Sequence, residues 1–258
     1  MSQLHISAKQ LGNLALENFC PRCLYMDYKL NLKYQGMIFP GILSKMDAIQ
    51  KKSVVKYYDK YGHLPNWLES EGIIGKPKIC PGPKTFFTSI KGVILSGSID
   101  LLIETPSKEL IIIDFKTASP KDGYDPFMPV YNVQLQGYAK ITEDLNLGKV
   151  VGLYLVYFSA QTSVTLDNID SYVRTEDLEV SFDVVVKKLE LNPEQTIGLL
   201  VDKFKNIITG NSLPERHPDC IECDRLEKIF TWLASSKVEI DTRSEELPLD
   251  TRGLMIEN

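Results

Sequence analysis

An aspartate and an Asp-x-Lys segment stand at the same end of a predicted β-hairpin. The apolar runs Ile99–Ile103 and Leu110–Ile113 are separated by turn-forming residues at positions 105–109. This pattern is typical of two antiparallel strands joined by a five-residue loop. Asp100 lies in the first strand, and Asp114 directly follows the second apolar run, so both carboxylates belong to the end of the hairpin away from its loop.

The register of this hairpin decides which charged side chains meet. If Glu104 pairs with Leu110, Asp100 falls opposite Asp114, and Lys116 shares the face of Asp114 because side chains alternate along a strand. Like charges placed directly opposite each other destabilise a sheet, so this arrangement needs a cation. A divalent metal such as Mg²⁺, which prefers hard oxygen ligands, suits two carboxylates. The alternative interpretation is a surface hairpin with scattered, solvated charges.

A helix predicted about twenty residues further on adds two polar side chains that share one helical face, Gln134 and Tyr138. Three spaced motifs resemble the RecB-like branch of the PD-(D/E)XK nucleases: Gly97-x-x-Asp100, Asp114-x-Lys116-Thr117 and Gln134-x-x-x-Tyr138. No proline precedes the first aspartate, as is common in that branch.

This resemblance implies an α/β fold with a PD-(D/E)XK, restriction-endonuclease-like core, in which helices flank a central mixed sheet. It implies that Asp100, Asp114 and the carbonyl of Phe115 bind Mg²⁺ or Mn²⁺. Lys116 would orient the attacking water or stabilise the transition state, and the two helical side chains would position the metal site and the nucleic-acid strand.

A further ligand is expected on a helix predicted at Gly41–Tyr61. RecB-like nucleases often carry a metal-binding histidine on this helix after a glycine, but here Lys45 and Asp47 occupy that neighbourhood. Asp47 is therefore a candidate third carboxylate ligand. The alternative is an acidic residue near the start of the helix, where the helix dipole favours negative charge.

Charge is distributed unevenly along the chain, whose net charge is −5. Residues 1–100 contain 13 Lys/Arg and 7 Asp/Glu, whereas residues 101–258 contain 16 and 27. This asymmetry predicts a region that faces a polyanion, here DNA. Four lysines of the Gly41–Tyr61 helix form either a DNA-contacting stripe or a solvated face: Lys51, Lys52, Lys56 and Lys60.

Four of the five cysteines form two Cys-x-x-Cys pairs, Cys20/Cys23 and Cys220/Cys223. Two such pairs in a cytosolic chain predict a four-thiolate metal site. We expect all four sulfur atoms in one coordination sphere, with Cys80 elsewhere.

The cysteine pattern resembles RecB-like nucleases of the AddB type and CRISPR-associated exonucleases, in which cysteines from both ends of the core hold a [4Fe–4S] cluster. Those proteins usually place one cysteine upstream and three downstream, whereas the division here is two and two. Structural Zn²⁺ therefore stays open as an alternative, because four thiolates suit both centres. His217 is an alternative fourth ligand if Cys23 is not one.

Other local signals predict the elements around the hairpin. Ser7 and Gln10 form a capping box that should start a helix extending to about Phe19. Strands expected at Thr85–Ile90 and Val93–Leu95 should join the hairpin in one mostly antiparallel sheet. The chain should continue with a buried strand at Val150–Phe158 and a helix that starts at Pro193 and ends before Gly210.

The length of 258 residues and 43% hydrophobic content fit a single domain at 1–235. The acidic segment 236–258 is predicted to be a disordered tail. No apolar run reaches the ~20 residues of a membrane helix, and the N-terminus lacks a secretory apolar core. We therefore predict a cytoplasmic protein without a membrane partner.

These observations predict a metal-dependent DNA nuclease of the RecB-like exonuclease type that acts in repair, recombination or defence. A helicase or another repair or defence protein is the expected protein partner. The alternative is a catalytically inactive nucleic-acid-binding scaffold with a structural four-cysteine metal site, which the missing histidine and the negative net charge favour.

Overall fold

The computed structural model describes residues 3–30, 40–120 and 125–235. The predicted acidic tail at 236–258 lies outside these residues. The chain divides into two compact units, Met1–His217 and Pro218–Asn258. No helix in the described ranges is both long and apolar enough to cross a membrane.

Among the described residues, six α-helices belong to the first unit and one to the second. They are α1 (Ala8–Asn13), α2 (Pro21–Leu30), α3 (Gly41–Tyr61), α4 (Asn66–Glu69), α5 (Met128–Asp144) and α6 (Pro193–Thr209), with α7 (Ile221–Ser235) in the second unit.

Eight strands in the described part of the chain form two sheets. They are β1 (Leu4–Ser7), β2 (Lys76–Lys78), β3 (Phe87–Ile90), β4 (Val93–Ser96), β5 (Leu101–Glu104), β6 (Leu110–Lys116), β7 (Val150–Ala160) and β8 (Phe182–Leu189). One sheet has the order β1-β4-β3 and the other the order β2-β5-β6-β7-β8. In the larger sheet β6 and β7 run parallel while the other neighbours are antiparallel, so the predicted mixed sheet is confirmed.

The predicted register of the β5–β6 hairpin is also confirmed. Glu104 pairs with Leu110 and Leu101 pairs with Ile113. A hydrogen bond from the Thr105 amide to the Glu109 carbonyl, 2.9 Å, closes the loop. The register follows from the loop length, because five linking residues leave these two positions opposite each other.

Alternation along β6 separates two hydrophobic cores on the two faces of the larger sheet. Leu110 and Ile112 face the core built with α1, α5 and α6. Ile111 and Ile113 face a second core that includes Val54 of α3. Asp114 and Lys116 continue the even-numbered series, so the fold directs both toward α5.

Local signals set several helix boundaries. The Ser7 capping box is present, with the Gln10 amide donating to Ser7 Oγ over 3.2 Å. The α3 prediction is confirmed at both ends, and Gly62 ends the helix at φ +76°, a left-handed conformation that glycine adopts without a side-chain clash. Helix α6 begins at Pro193 as expected and ends directly before Gly210.

Two fold predictions are wrong. Helix α1 ends at Asn13 rather than near Phe19, and the Cys20–Cys23 segment lies at the start of α2. Strands β3 and β4 do not join the hairpin sheet, because β4 pairs in parallel with β1 from the N-terminus. This partner lies about ninety residues away, and no local pattern reports such a pairing.

Candidate active site and cysteine centre

Asp114 lies at the end of β6 in a buried position, with only 2% of its surface exposed. Its Oδ1 atom accepts a hydrogen bond from Gln134 Nε2 over 2.9 Å, and its Oδ2 atom lies 2.6 Å from Lys116 Nζ. Burial raises the pKa of Asp114 from 3.8 to about 6, although the neighbouring Lys116 ammonium opposes this rise. The carboxylate is therefore costly to keep ionised without a further positive charge.

Helix α5 places Gln134 and Tyr138 one turn apart against this carboxylate. Gln134 Nε2 also donates to Tyr138 Oη over 2.8 Å, and Gln134 Oε1 accepts from Lys116 Nζ over 3.3 Å. Burial raises the pKa of Tyr138, and the charge of Asp114 raises it further, so the phenol stays protonated. The amide of Gln134 thus fixes Asp114, Lys116 and Tyr138 relative to one another.

Gly97 allows the tyrosine ring to approach the chain beside Asp100. A Cβ atom at position 97 would lie 2.4 Å from Cε1 and 2.7 Å from Cδ1 of Tyr138. Any larger residue would have to displace the ring, which is packed with 5% of the tyrosine exposed. This contact gives the glycine of the Gly97-x-x-Asp100 motif a physical reason.

Asp100 directly precedes β5, and its carboxylate is held by two groups. Oδ2 accepts a hydrogen bond from the Phe115 amide over 2.9 Å, and Oδ1 lies 2.9 Å from Lys51 Nζ. Because Phe115 follows Asp114, this bond ties the two acidic segments together across the hairpin. The negative charge of Asp100 also helps raise the pKa of Asp114.

Asp47 is connected to Asp100 by an ion pair that each of them forms with Lys51. Lys51, one helical turn further along α3, lies 2.7 Å from Asp47 Oδ2 and bridges it to Asp100. Sequence reasoning assigned Lys51 only to a candidate DNA stripe. Lys52 and Lys56 are exposed and each lies two positions from the buried Val54, so they project from the opposite face of α3.

Two more groups at the site were missed. Tyr131 places its ring 4.2 Å from Lys116 Nζ, a cation–π contact that restricts the ammonium. Its position one turn before Gln134 on α5 was the available signal, since residues three apart share a helical face. The Gln50 Nε2 atom of α3 donates to Thr117 Oγ1 over 2.9 Å, which holds the end of the Asp114-x-Lys116-Thr117 motif against α3.

The residues present fit a divalent metal ion. Among the described residues, Asp114 Oδ2 accepts no hydrogen bond and has only the Lys116 ion pair, although the atom is buried. Asp100 directly precedes the neighbouring strand β5, with 13% of its side chain exposed. Two carboxylates of this kind form an oxygen donor set for Mg²⁺ or Mn²⁺.

The predicted convergence of the four cysteines is confirmed. The sulfur atoms of Cys20, Cys23, Cys220 and Cys223 all lie within 4.8 Å of one another. Cys80 does not belong to this group. The four thiols form a cluster that joins the N- and C-terminal segments and is able to bind a metal.

His217 contributes to the cluster through its backbone. Its amide donates a hydrogen bond to Cys20 Sγ over 3.4 Å, and the cluster of metal-ligating atoms found in the described residues contains cysteines alone. A peptide dipole aimed at a sulfur favours its thiolate form.

The arrangement of an acidic hairpin end, an Asp-x-Lys strand and a glutamine helix has a counterpart among known families. The family model of the PD-(D/E)XK nuclease superfamily matches residues 42–227, which is more than half of the chain. The crystal structure of SSO0001 is similar with a TM-score of 0.42 and 16% identity, over 83% of this chain and 80% of that chain. No curated protein matches the sequence. From the family match over β6, α5 and the residues they position, we conclude that the chain belongs to the PD-(D/E)XK nuclease superfamily.

Proposed function

We propose that this protein is a Mg²⁺- or Mn²⁺-dependent deoxyribonuclease of the RecB-like branch, acting as an exonuclease in repair, recombination or defence. The observation that carries the proposal is the buried Asp114 carboxylate, held between Lys116 and Gln134 and tied to Asp100 through the Phe115 amide. Burying a carboxylate lowers the stability of the fold. A carboxylate that binds a divalent cation would explain why this unfavourable burial is present.

Asp100, Asp114 and the Phe115 carbonyl would hold the metal, which supplies a water of lowered pKa and neutralises charge on the scissile phosphate. Lys116 orients the attacking water or stabilises the transition state. Its ammonium is held by Asp114, by Gln134 and by the Tyr131 ring. The side chain is therefore already oriented, and it loses little conformational entropy when the substrate binds. Gln134 and Tyr138 keep Asp114 in position.

Substitution of Asp114 by Asn tests the proposal. We expect cleavage of plasmid and single-stranded DNA in Mg²⁺ or Mn²⁺ to fall by about 10²–10³-fold, because removal of one preorganised polar group from an active site has an effect of this size. Asp144→Asn is a matched control, since Asp144 is a paired carboxylate at the end of α5 that contacts Thr88 and Lys140 instead of the site. EDTA should abolish activity, and end-labelled strands would separate exonuclease from endonuclease products.

Retention of activity in Asp114→Asn would refute the assignment. DNA binding without cleavage in every metal by the unmodified protein would instead support the inactive scaffold. The scaffold has one observation in its favour: each oxygen of Asp100 already has a protein partner, Phe115 N or Lys51 Nζ. A helicase or other repair or defence protein would be found by co-purification with the full chain.

We propose that the four cysteines hold a metal that stabilises the fold. The resemblance to iron–sulfur nucleases supports a [4Fe–4S] cluster. The spacing of the sulfurs, all within 4.8 Å, supports Zn²⁺, because thiolate bonds of ~2.3 Å around one tetrahedral ion place sulfurs ~3.8 Å apart. A four-iron cluster needs wider spacing, since its iron atoms stand between the sulfurs.

Anaerobic purification distinguishes these two centres. Brown protein with visible absorption, four irons and four sulfides per chain would establish the cluster, whereas colourless protein with one zinc would establish the structural ion. Protein that lacks both metals, with unchanged thermal stability after chelation, would refute the proposed centre while leaving the nuclease proposal standing.

A further inference from the structure

Lys51 stands between two carboxylates at the candidate nuclease site. Its Nζ atom lies 2.7 Å from Asp47 Oδ2 and 2.9 Å from Asp100 Oδ1. The three side chains are 33%, 47% and 13% exposed, respectively. Two carboxylates joined through one positive centre form the arrangement in which a cation is normally held, and here a protein ammonium fills that position.

The net charge of the site shows what this ammonium does. The site contains three carboxylates and two ammonium groups, so its net charge is −1 when all five are ionised. The five groups belong to Asp47, Asp100, Asp114, Lys51 and Lys116. One divalent cation brings the net charge to +1. This value matches the single negative charge of one phosphodiester. A second divalent cation beside Lys51 would have to approach two ammonium groups, and Coulomb repulsion at such short distances is severe in a partly buried site.

We propose that Lys51 is a positioning residue that occupies the cation position between Asp47 and Asp100 and thereby restricts the nuclease site to one divalent metal ion. This inference rests on the proposed function, in which Asp100 and Asp114 bind that one ion. The buried Asp114 Oδ2 atom accepts no hydrogen bond among the described residues and pairs with the Lys116 ammonium instead of with Lys51, so it remains a candidate ligand for that ion.

Geometry separates Lys51 from the other lysines of α3. Asp47 and Lys51 lie four residues apart on one face of the helix, which is the favourable order for an acid and a base. Lys52 is adjacent in sequence, points about 100° further round the helix and is exposed. A Lys52→Gln variant therefore removes the same charge from the same helix without changing the site.

The experiment counts bound Mn²⁺ by calorimetry and by electron paramagnetic resonance, using the protein with its cysteine centre as purified. We expect one ion for the unmodified protein, for Lys52→Gln and for Lys51→Arg, which keeps the positive charge. Lys51→Gln should bind two ions, because Asp47 and Asp100 lose their resident cation. In the double variant that combines Lys51→Gln with Asp47→Asn, the second ion should bind at least about tenfold more weakly than in Lys51→Gln alone.

The outcomes separate this inference from the proposed function. One ion bound by Lys51→Gln with unchanged affinity, or two ions bound by the unmodified protein, would overturn the role of Lys51 and leave the nuclease site intact. No ion bound by the unmodified protein would overturn the proposed function itself. If Lys51→Gln does not fold, Lys51→Met and the Asp47→Asn single variant repeat the count, with two ions and one ion expected, respectively.

Discussion

The clearest test of the buried site is the pH dependence of stability that Asp114 should create in metal-free protein. Burial raises the pKa of Asp114 from 3.8 to about 6, so the folded protein binds this proton more tightly than the unfolded chain does. The stabilising contribution is complete below pH 3.8 and is lost as pH rises through about 6. Since one pKa unit corresponds to ~1.36 kcal/mol, the loss is about 3 kcal/mol.

The measurement compares the unmodified protein with Asp114→Asn. Denaturant unfolding in EDTA from pH 4 to pH 8 gives the free energy of unfolding of each protein. Between pH 3.8 and about 6 the unfolded chain ionises Asp114 while the folded protein keeps it protonated, so the free energy of unfolding of the unmodified protein should fall relative to that of the variant. The asparagine does not titrate, and the fall should amount to about 2–3 kcal/mol over the measured range. The change should be half complete near about pH 5 and should level off above about pH 6.

Adding Mg²⁺ at pH 8 supplies the control. The unmodified protein should regain about 2.7 kcal/mol at a hundredfold excess over the dissociation constant, because a ligand that binds only the folded state stabilises it. Asp114→Asn should respond weakly. A difference between the proteins that stays constant from pH 4 to pH 8 would show that Asp114 is not held ionised at a cost, and the argument from its burial would fail.

Three further outcomes are expected. Gln134→Leu should lower the free energy of unfolding by about 1–3 kcal/mol and reduce DNA cleavage, since Asp114 and Tyr138 lose a buried partner; unchanged cleavage rates would argue against a positioning role. Gly97→Ala should lower stability by about 1–3 kcal/mol, measured by thermal unfolding, because its Cβ meets the Tyr138 ring at 2.4 Å; an unchanged midpoint would show that the ring moves freely. Cys223→Ser should lower the metal content and the melting temperature together, and a metal content equal to that of the unmodified protein would exclude this thiolate as a ligand.

Sequence patterns were sufficient where the physical cause is local. The five-residue loop sets the Glu104–Leu110 register, and alternation along β6 then fixes the common face of Asp114 and Lys116. Gly62 can adopt the left-handed conformation that ends α3, and Pro193 can start α6. These outcomes depend on sterics and hydrogen bonds within a few residues, so one sequence is enough to predict them.

Helical periodicity alone did not decide which face of α3 is covered. Ile42 and Ile49 lie seven residues apart and share one face of α3, yet these apolar residues are 62% and 55% exposed, while Gln50 and Val54 are buried. Packing against the larger sheet selects the buried face, and the hydrogen bond from Gln50 to Thr117 compensates the buried amide.

The sequence by itself determined the acidic hairpin, the Asp-x-Lys strand, the glutamine helix and the two Cys-x-x-Cys pairs. Each of these features depends on residues that are only a few positions apart. Only the tertiary structure decided that β4 pairs with β1, that Lys51 bridges Asp47 to Asp100, and that Tyr131 covers Lys116. These contacts join segments that local propensity treats as independent. Their partners are selected by chain-wide burial and charge compensation, which act only once the whole sheet and its helices have assembled.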